Sequence, residues 1–437
     1  MPFQKIPDLD LTYALISFDA AGNERTDDSE GGVFSPTVLA RAKQDKPTDI
    51  FFFIHGWKGD FEGAVDQYNR WIGAMWRLEA DRAARGASFR PMFIGLHWPS
   101  QPWGDEKLAD PPPPASFDVV SASVAEPAGA PDVNQMFEDA VKTFGDDPAV
   151  RAALKVIFDT YAADPNSFIV PDHALTAYQD LAAAIGFSAG GGPEAAPDQE
   201  GVALDPQQAV NAHRIAEAAS SFGIFDTVKK GILGGLGQLS FWTMKKRGRT
   251  NGEGGMHTFV KDLMNAIDSR IHFMGHSFGC VVVSSILGGP GGKGGLPRPV
   301  NSAVLVQGAV SLWSWGDKVK NFNTPGYYHP VLTNKAVSGP VVTTRSANDK
   351  AVGLAYPAAV ALVGQAAFVP ALPLFGGLGS YGIQGTSIAQ STPMLDAGGK
   401  YNFQPGVIYN LEGSAFIPSH TGIDGPQVAH AIWEAAL

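Results

Sequence analysis

A serine between glycines stands at the end of an apolar run in the second half of the chain. It is Ser277, in the motif Gly-His-Ser-Phe-Gly at 275–279, and a second apolar run follows at 280–283. This succession predicts a buried strand, a tight turn with the serine at its tip, and a buried helix. The hydroxyl would lie at a helix N-terminus, where the helix dipole favours negative charge. Such a position suits a nucleophile.

The same Gly-x-Ser-x-Gly pattern occurs once more, at 186–190 around Ser188. An Ala-rich, helix-like segment at 178–185 precedes this match, and further glycines and prolines follow it. That context is typical of a helix that ends in glycine rather than of a strand that enters a turn. The sequence therefore favours Ser277 as the nucleophile.

A serine hydroxyl at its normal pKa needs a general base, and the base needs a third group to orient it. Asp349 and His420 each follow a predicted late strand. Because the carboxyl ends of parallel strands meet at one edge of a sheet, we expect both side chains to lie near Ser277. Asp317 also follows a predicted strand and is the alternative acid, although Asp349 is favoured. His430, on the predicted closing helix, is expected at the surface.

Apolar runs of strand length alternate with amphipathic segments in both outer parts of the chain. This alternation predicts an α/β fold, with a mostly parallel central sheet flanked by helices, built from residues 1–104 and 256–437. The predicted strands are 11–18, 49–54, 91–98, the run before Ser277, 302–307, 339–344 and 407–411, and the predicted helices include 61–85, 256–269 and a closing helix from 426.

Residues 105–255 interrupt this alternation. Four consecutive prolines occur at 111–114, and no buried-strand pattern stands out after them. We expect a mainly helical insertion or cap, with helices at 133–143, 149–162, 174–185 and 206–221. A second, lid-like insertion is predicted at about 354–400. Its apolar part, 354–385, contains too many prolines and glycines for a continuous membrane-spanning helix and would line an apolar pocket.

Composition limits the classes of function. The net charge of −11 argues against a nucleic-acid partner, because phosphate binding needs clustered lysine and arginine. Cys280 is the single cysteine, which excludes an intrachain disulfide. The ten histidines form no His-x-x-x-His pair beside a glutamate and have no cysteine partners, so we predict no zinc site. The N-terminus shows no apolar signal segment, so a cytoplasmic location is expected, with a secreted mature form as the alternative.

Around Ser277, Asp349 and His420 the sequence resembles the α/β-hydrolase superfamily of serine esterases and lipases. The chain order serine, aspartate, histidine is the superfamily's order. The resemblance covers roughly 11–98 and 256–437. It rests on four segments, which are 275–279 around Ser277, His55-Gly56, 346–352 around Asp349, and Ser419-His420.

The resemblance implies a role for each matching position. Ser277 would be the nucleophile, His420 the general base and then acid, and Asp349 the group that orients His420. The backbone N–H groups of Trp57 and Phe278 would form the oxyanion hole. The side chains expected to wall the site are His55 and His276, with the backbone of Gly56.

The function implied is hydrolysis of a small-molecule or lipid-like carboxylic ester through an acyl-enzyme, without metal or cofactor. Acyl transfer to serine is common to several reactions, so an acyltransferase and an amide or thioester hydrolase remain alternatives. A non-catalytic binding protein with the same fold is an alternative of another class. The sequence leaves the oligomeric state open.

Overall fold

A computed structural model describes most of the chain. The described residues are 3–27, 31–57, 61–100, 133–186, 206–207, 210–211, 231–320, 324–349, 351–352, 372 and 376–437. The apolar segment 354–385 and the predicted helix 206–221 lie largely outside them, as does Ser188. Among the helices that the structure describes, none combines the length and the apolar composition needed to cross a membrane.

Nine strands form one sheet in the described part of the chain, in the order β1-β2-β4-β3-β5-β6-β7-β9-β8. Every neighbouring pair is parallel except β1 and β2. The α/β class with a mostly parallel sheet is therefore confirmed. The strands are β1 Phe3–Lys5, β2 Thr12–Ser17, β3 Asp49–Ile54, β4 Pro91–His97, β5 Arg270–His276, β6 Ser302–Val306, β7 Val341–Arg345, β8 Ala389–Pro393 and β9 Ile408–Glu412.

Helices cover both faces of the sheet. The described α-helices are α1 Ser35–Asp45, α2 Phe61–Arg77, α3 Glu79–Ala84, α4 Val133–Phe144, α5 Pro148–Ala163, α6 Asp172–Ala184, α7 Gly234–Asn251, α8 His257–Ala266, α9 Gly279–Gly288, α10 His329–Thr333, α11 Leu378–Tyr381 and α12 Pro426–Ala435. Apolar residues of α1, α8 and α9 pack in one core cluster, and those of α2 and α12 pack in a second. The central strands supply residues to both clusters, because alternate side chains of a strand point to opposite faces. This two-sided burial explains why β3 is apolar from Ile50 to Ile54, after Asp49 at its start.

Helices α4, α5 and α6 form a smaller core of their own. They lie within two residues of the helices that the sequence predicts. The first part of α7 completes this core with Leu236 and Leu239, whereas Phe241 and Trp242 further along α7 pack in the main core beside the sheet. Helix α7 thus connects the helical region to the sheet.

The fold differs from the sequence prediction in several places, and the helices α1 and α7 were not predicted individually. The single helix expected at 61–85 is two helices, α2 and α3, separated by Leu78. The edge strand β8 was not predicted because its sequence, Ala-Gln-Ser-Thr-Pro, carries no apolar run and is mostly exposed. The three-residue edge strand β1 was too short for any periodicity to show.

Candidate active site

Ser277 occupies a strained turn between β5 and α9. Its φ of 55° lies in the left-handed region, which is unfavourable for a residue with a side chain. Glycines on both sides allow close contact with neighbouring backbone: a Cβ on Gly275 would lie 2.6 Å from the Gly279 carbonyl oxygen, and one on Gly279 would lie 2.3 Å from that of Ile54. The motif therefore places the hydroxyl at the carboxyl edge of the sheet, next to the central strand β3.

The side chains of Ser277, His420 and Asp349 are joined by hydrogen bonds, and we call them the candidate triad. The Ser277 hydroxyl donates to His420 Nε2 at 2.8 Å, and His420 Nδ1–H donates to Asp349 Oδ2 at 2.9 Å. They follow β5, β9 and β7 respectively, so three strand ends meet at this edge. Asp317, the alternative acid, has its Oδ1 3.4 Å from Nδ1 of a different histidine, His329.

The Asp349 carboxylate is fully buried but surrounded by donors. Its Oδ1 accepts the backbone N–H of Val352 at 2.9 Å, and its Oδ2 accepts from Gln307 Nε2 at 2.8 Å as well as from His420. These bonds replace the water that a buried charge loses. Gln307 directly follows β6 and has no motif around it, so no pattern in the sequence indicates it as a site residue.

The loop after β3 passes directly beside the nucleophile. A Cβ on Gly56 would lie only 2.8 Å from Ser277 Cβ. His55 Nδ1–H donates to the Gly56 carbonyl oxygen at 2.9 Å, which fixes the peptide unit joining Gly56 to Trp57. Because the N–H of a trans peptide points away from its carbonyl, the Trp57 N–H is oriented by the same bond. Phe278 is the N-cap residue directly before α9, and the N–H groups at a helix N-terminus have no acceptor within the helix.

His55 is a buried, neutral support for that loop. Its Nε2 accepts the Trp98 N–H at 3.3 Å and lies 3.0 Å from His97 Nδ1. Trp98 Nε1–H in turn donates to the His55 carbonyl oxygen at 3.0 Å. Burial, with a further contribution from His97, lowers the pKa of His55 well below its ordinary value. His55 therefore supports residues 55–57 from the side of the core, and we call this segment the predicted oxyanion loop because it carries the Trp57 N–H.

His276, expected to wall the site, contacts the main chain of His420. Its Nε2–H donates to the His420 carbonyl oxygen at 2.8 Å, and the two rings lie 4.9 Å apart. Burial, and to a smaller extent the nearby His420, lowers the pKa of His276 to about 3. A neutral imidazole with its proton on Nε2 thus holds the loop that carries His420.

Three aromatic rings pack beside the predicted oxyanion loop. The Trp57 ring lies 5.6 Å from Phe278 and 6.2 Å from Phe241, and the last two are 5.0 Å apart. Phe241 belongs to α7, so part of the predicted insertion contributes to this apolar wall. Sequence reasoning did not single out Phe241, because an aromatic residue on a helix is usually only a core residue.

Away from the candidate triad, the described residues include one group of ionisable side chains close enough together to hold a metal ion. Asp81, His430 and Glu434 present ligand atoms within 4.8 Å of one another on α3 and α12. His430 Nδ1 already contacts the Asp81 carboxylate at 2.9 Å, and its Nε2 contacts the Gly399 carbonyl oxygen. The side chain of His430 is buried, so its expected surface position is wrong.

Comparisons with protein families, with curated proteins and with solved structures give no match for this chain.

Proposed function

We propose that this protein is a serine hydrolase of the α/β-hydrolase fold that cleaves carboxylic esters through an acyl-serine intermediate. The observation that supports it most is the continuous chain of hydrogen bonds from Ser277 through His420 to Asp349. The strained backbone at Ser277 adds to it, since such strain concentrates at functional sites. The nine-stranded, mostly parallel sheet is compatible with this fold.

In the proposed reaction, Ser277 Oγ attacks the carbonyl carbon of the ester while His420 Nε2 accepts the hydroxyl proton. The bond from His420 Nδ1–H to Asp349 stabilises the imidazolium that forms. The negative oxygen of the tetrahedral intermediate accepts hydrogen bonds from the Trp57 and Phe278 N–H groups. Loss of one such donor raises the barrier by about 3 kcal/mol in typical cases.

His420 then gives its proton to the leaving alcohol, and the carbon–oxygen bond to that alcohol breaks. A water molecule enters, His420 Nε2 takes one of its protons, and the resulting hydroxide adds to the acyl carbon. Collapse of this second intermediate returns the proton to Ser277 Oγ and releases the carboxylic acid. No metal or cofactor takes part in these steps.

The proposed substrate is a small-molecule or lipid-like ester with an apolar group. In the aromatic wall beside the predicted oxyanion loop, Phe241 and Phe278 are buried, and the half-buried Trp57 ring packs against both of them. The accessible part of the Trp57 ring supports this proposal, because aromatic surface binds apolar groups that leave water. The wall lies next to the predicted oxyanion donors, where the acyl or alcohol group of an ester would lie.

A panel of p-nitrophenyl esters with acyl chains of increasing length tests the proposal. We expect turnover, covalent labelling by a fluorophosphonate probe, and recovery of the label on the peptide that contains Ser277. Transfer of the acyl group to an added alcohol in preference to water would identify an acyltransferase. Absence of both turnover and labelling would contradict the proposal and favour a binding protein.

A further inference from the structure

Gln307 has an unusual backbone for its position in the fold. It directly follows β6, is completely buried, and has a φ of 46°. This left-handed conformation is unfavourable for a residue with a side chain, and surrounding structure must hold it in place. Ser277 is in the same region at the end of the adjacent strand β5. Two neighbouring strand ends therefore carry the same kind of strain.

Hydrogen bonds to Thr344 fix the orientation of the Gln307 amide. The Thr344 hydroxyl accepts the Gln307 backbone N–H at 3.0 Å and donates to Gln307 Oε1 at 2.9 Å. The Nε2 group then faces Asp349 Oδ2 at 2.8 Å and the Gly379 carbonyl oxygen at 3.2 Å. Since a carboxylate and a carbonyl only accept, this assignment of oxygen and nitrogen satisfies all four contacts.

The oxygen that Gln307 contacts is the one that orients His420. Asp349 Oδ2 accepts from Gln307 Nε2 and from His420 Nδ1. The Gln307 amide therefore helps to determine the position of the oxygen to which the His420 imidazole donates. The backbone of Gly379 closes over this contact. A Cβ there would lie 2.9 Å from Gln307 Cα and 3.1 Å from Asp349 Oδ2, so a methyl group does not fit.

We propose that Gln307 is a positioning residue for the hydrolase reaction, acting through the Asp349 carboxylate; this inference rests on the proposed function. Its amide holds Oδ2 so that His420 Nε2 stays aligned with the Ser277 hydroxyl. Without that donor, His420 is the hydrogen-bond partner left to Oδ2 among the described residues, while the Val352 N–H still holds Oδ1, so small rotations of the carboxylate displace Oδ2 and the imidazole with it. Displacements of about 1 Å in such arrangements lower rates by up to roughly 100-fold.

The test compares two substitutions that each remove a buried carboxamide. Gln307→Leu removes the donor to Asp349. Asn410→Leu is the control: Asn410 lies on β9, is equally buried, and bonds to the backbone of Ile383, not to Asp349. Both proteins are characterised by thermal denaturation and by ester hydrolysis, with the active fraction counted by fluorophosphonate titration.

We expect Gln307→Leu to lower kcat roughly 10- to 100-fold with KM nearly unchanged. Thr344→Val, which removes the hydroxyl that fixes the amide, should lower kcat by a smaller factor. Asn410→Leu should reduce the melting temperature and leave kcat per active site at the wild-type value. A merely structural role for Gln307 predicts the same behaviour for both leucine variants, and that result would overturn the proposal.

A spectroscopic readout keeps the inference separate from the proposed function. An imidazole N–H that donates to a carboxylate gives a proton resonance far downfield, and His420 Nδ1–H should be such a proton. We expect Gln307→Leu to shift or broaden this resonance and Asn410→Leu to leave it in place. An unchanged resonance in Gln307→Leu overturns the positioning role. Failure of the proposed function shows instead as a wild-type protein that neither turns over esters nor becomes labelled.

Discussion

Two sets of hydrogen-bonded Ser, His and Asp side chains lie at opposite ends of the sheet. The candidate triad is at the carboxyl edge. At the amino end, the Ser302 hydroxyl donates to His272 Nδ1 at 2.9 Å, and His272 Nε2–H donates to Asp49 Oδ1 at 3.1 Å. We call these three residues the amino-end triple. The distances are nearly those of the candidate triad, with the roles of the two ring nitrogens exchanged.

The surroundings of the two groups differ. Asp49 Oδ1 also accepts a hydrogen bond from Arg85 at 3.1 Å and forms an ion pair with Arg270 at 2.8 Å, so its charge is shared among several cationic or donor groups. Ser302 lies at the start of a regular strand, whereas Ser277 lies in a strained turn at the start of a helix. We therefore do not propose Ser302 as a nucleophile, although it is part of a hydrogen-bonded Ser-His-Asp arrangement. The turn, the helix N-terminus and the adjacent N–H donors distinguish the candidate triad.

Removal of each serine hydroxyl should give the largest contrast. Ser277→Ala is expected to lower kcat on the order of 10⁶-fold, because the covalent step is lost. Ser302→Ala should leave kcat unchanged and lower the free energy of unfolding by about 1 kcal/mol, the contribution of one hydrogen bond. Ester hydrolysis and urea denaturation measure the two effects. Equal activity of the two variants would contradict the nucleophile assignment.

The two aspartates should separate activity from stability. Asp349→Asn favours the wrong tautomer of His420 and should lower kcat by about 10⁴-fold. Asp49→Asn leaves the buried Arg85 without its carboxylate and should cost about 3 to 5 kcal/mol of stability, with kcat per folded molecule retained. Active-site titration alongside denaturant curves measures both. If Asp49→Asn reduced kcat to a similar extent, the contrast between the two ends would be lost.

The buried histidines of β5 allow a matched comparison on one strand. His276→Phe removes the donor to the His420 carbonyl oxygen and should lower kcat roughly 10- to 100-fold through misalignment of the imidazole. His276→Gln, whose amide can donate in place of Nε2, should restore most of the activity. His272→Phe removes a member of the amino-end triple and should change stability only. A reduced kcat in His272→Phe would argue against a specific role for His276.

Acid should destabilise both ends of the sheet in the same way. Burial lowers the pKa of His272 to about 4 and that of His276 to about 3, while the unfolded chain takes up protons near pH 6.5. Between pH 6.5 and about pH 4 the unfolded chain binds protons on these histidines and the folded protein does not. Their contribution to the free energy of unfolding is therefore highest above pH 6.5 and decreases as the pH falls. At pH 5 the expected loss is about 2 kcal/mol for each histidine. Urea denaturation between pH 7 and 5 measures it, and His276→Phe should show a smaller loss than wild type.

Part of the candidate site could be predicted because its signals are local. The apolar runs and the glycines around Ser277 indicate a strand, a turn and a helix without any knowledge of distant residues. Parallel topology then restricts candidates for base and acid to residues just after strands, which favours His420 over His430. It does not separate Asp349 from Asp317, since both follow predicted strands. The helix break at Leu78 and the polar strand β8 depend on packing and strand pairing that no local pattern encodes.

The sequence by itself determined the α/β class, the mostly parallel sheet and the turn that carries Ser277, because burial on two faces and close backbone contact require particular residue types in a particular order. Only the tertiary structure decided which polar groups pair. Gln307 reaches Asp349, and His276 reaches the His420 carbonyl oxygen, because of strand order and loop paths. Likewise, His272 meets Ser302 through the register of β5 with β6. Those contacts join residues far apart in the chain, and side-chain hydrogen bonds depend on positions within a few tenths of an ångström.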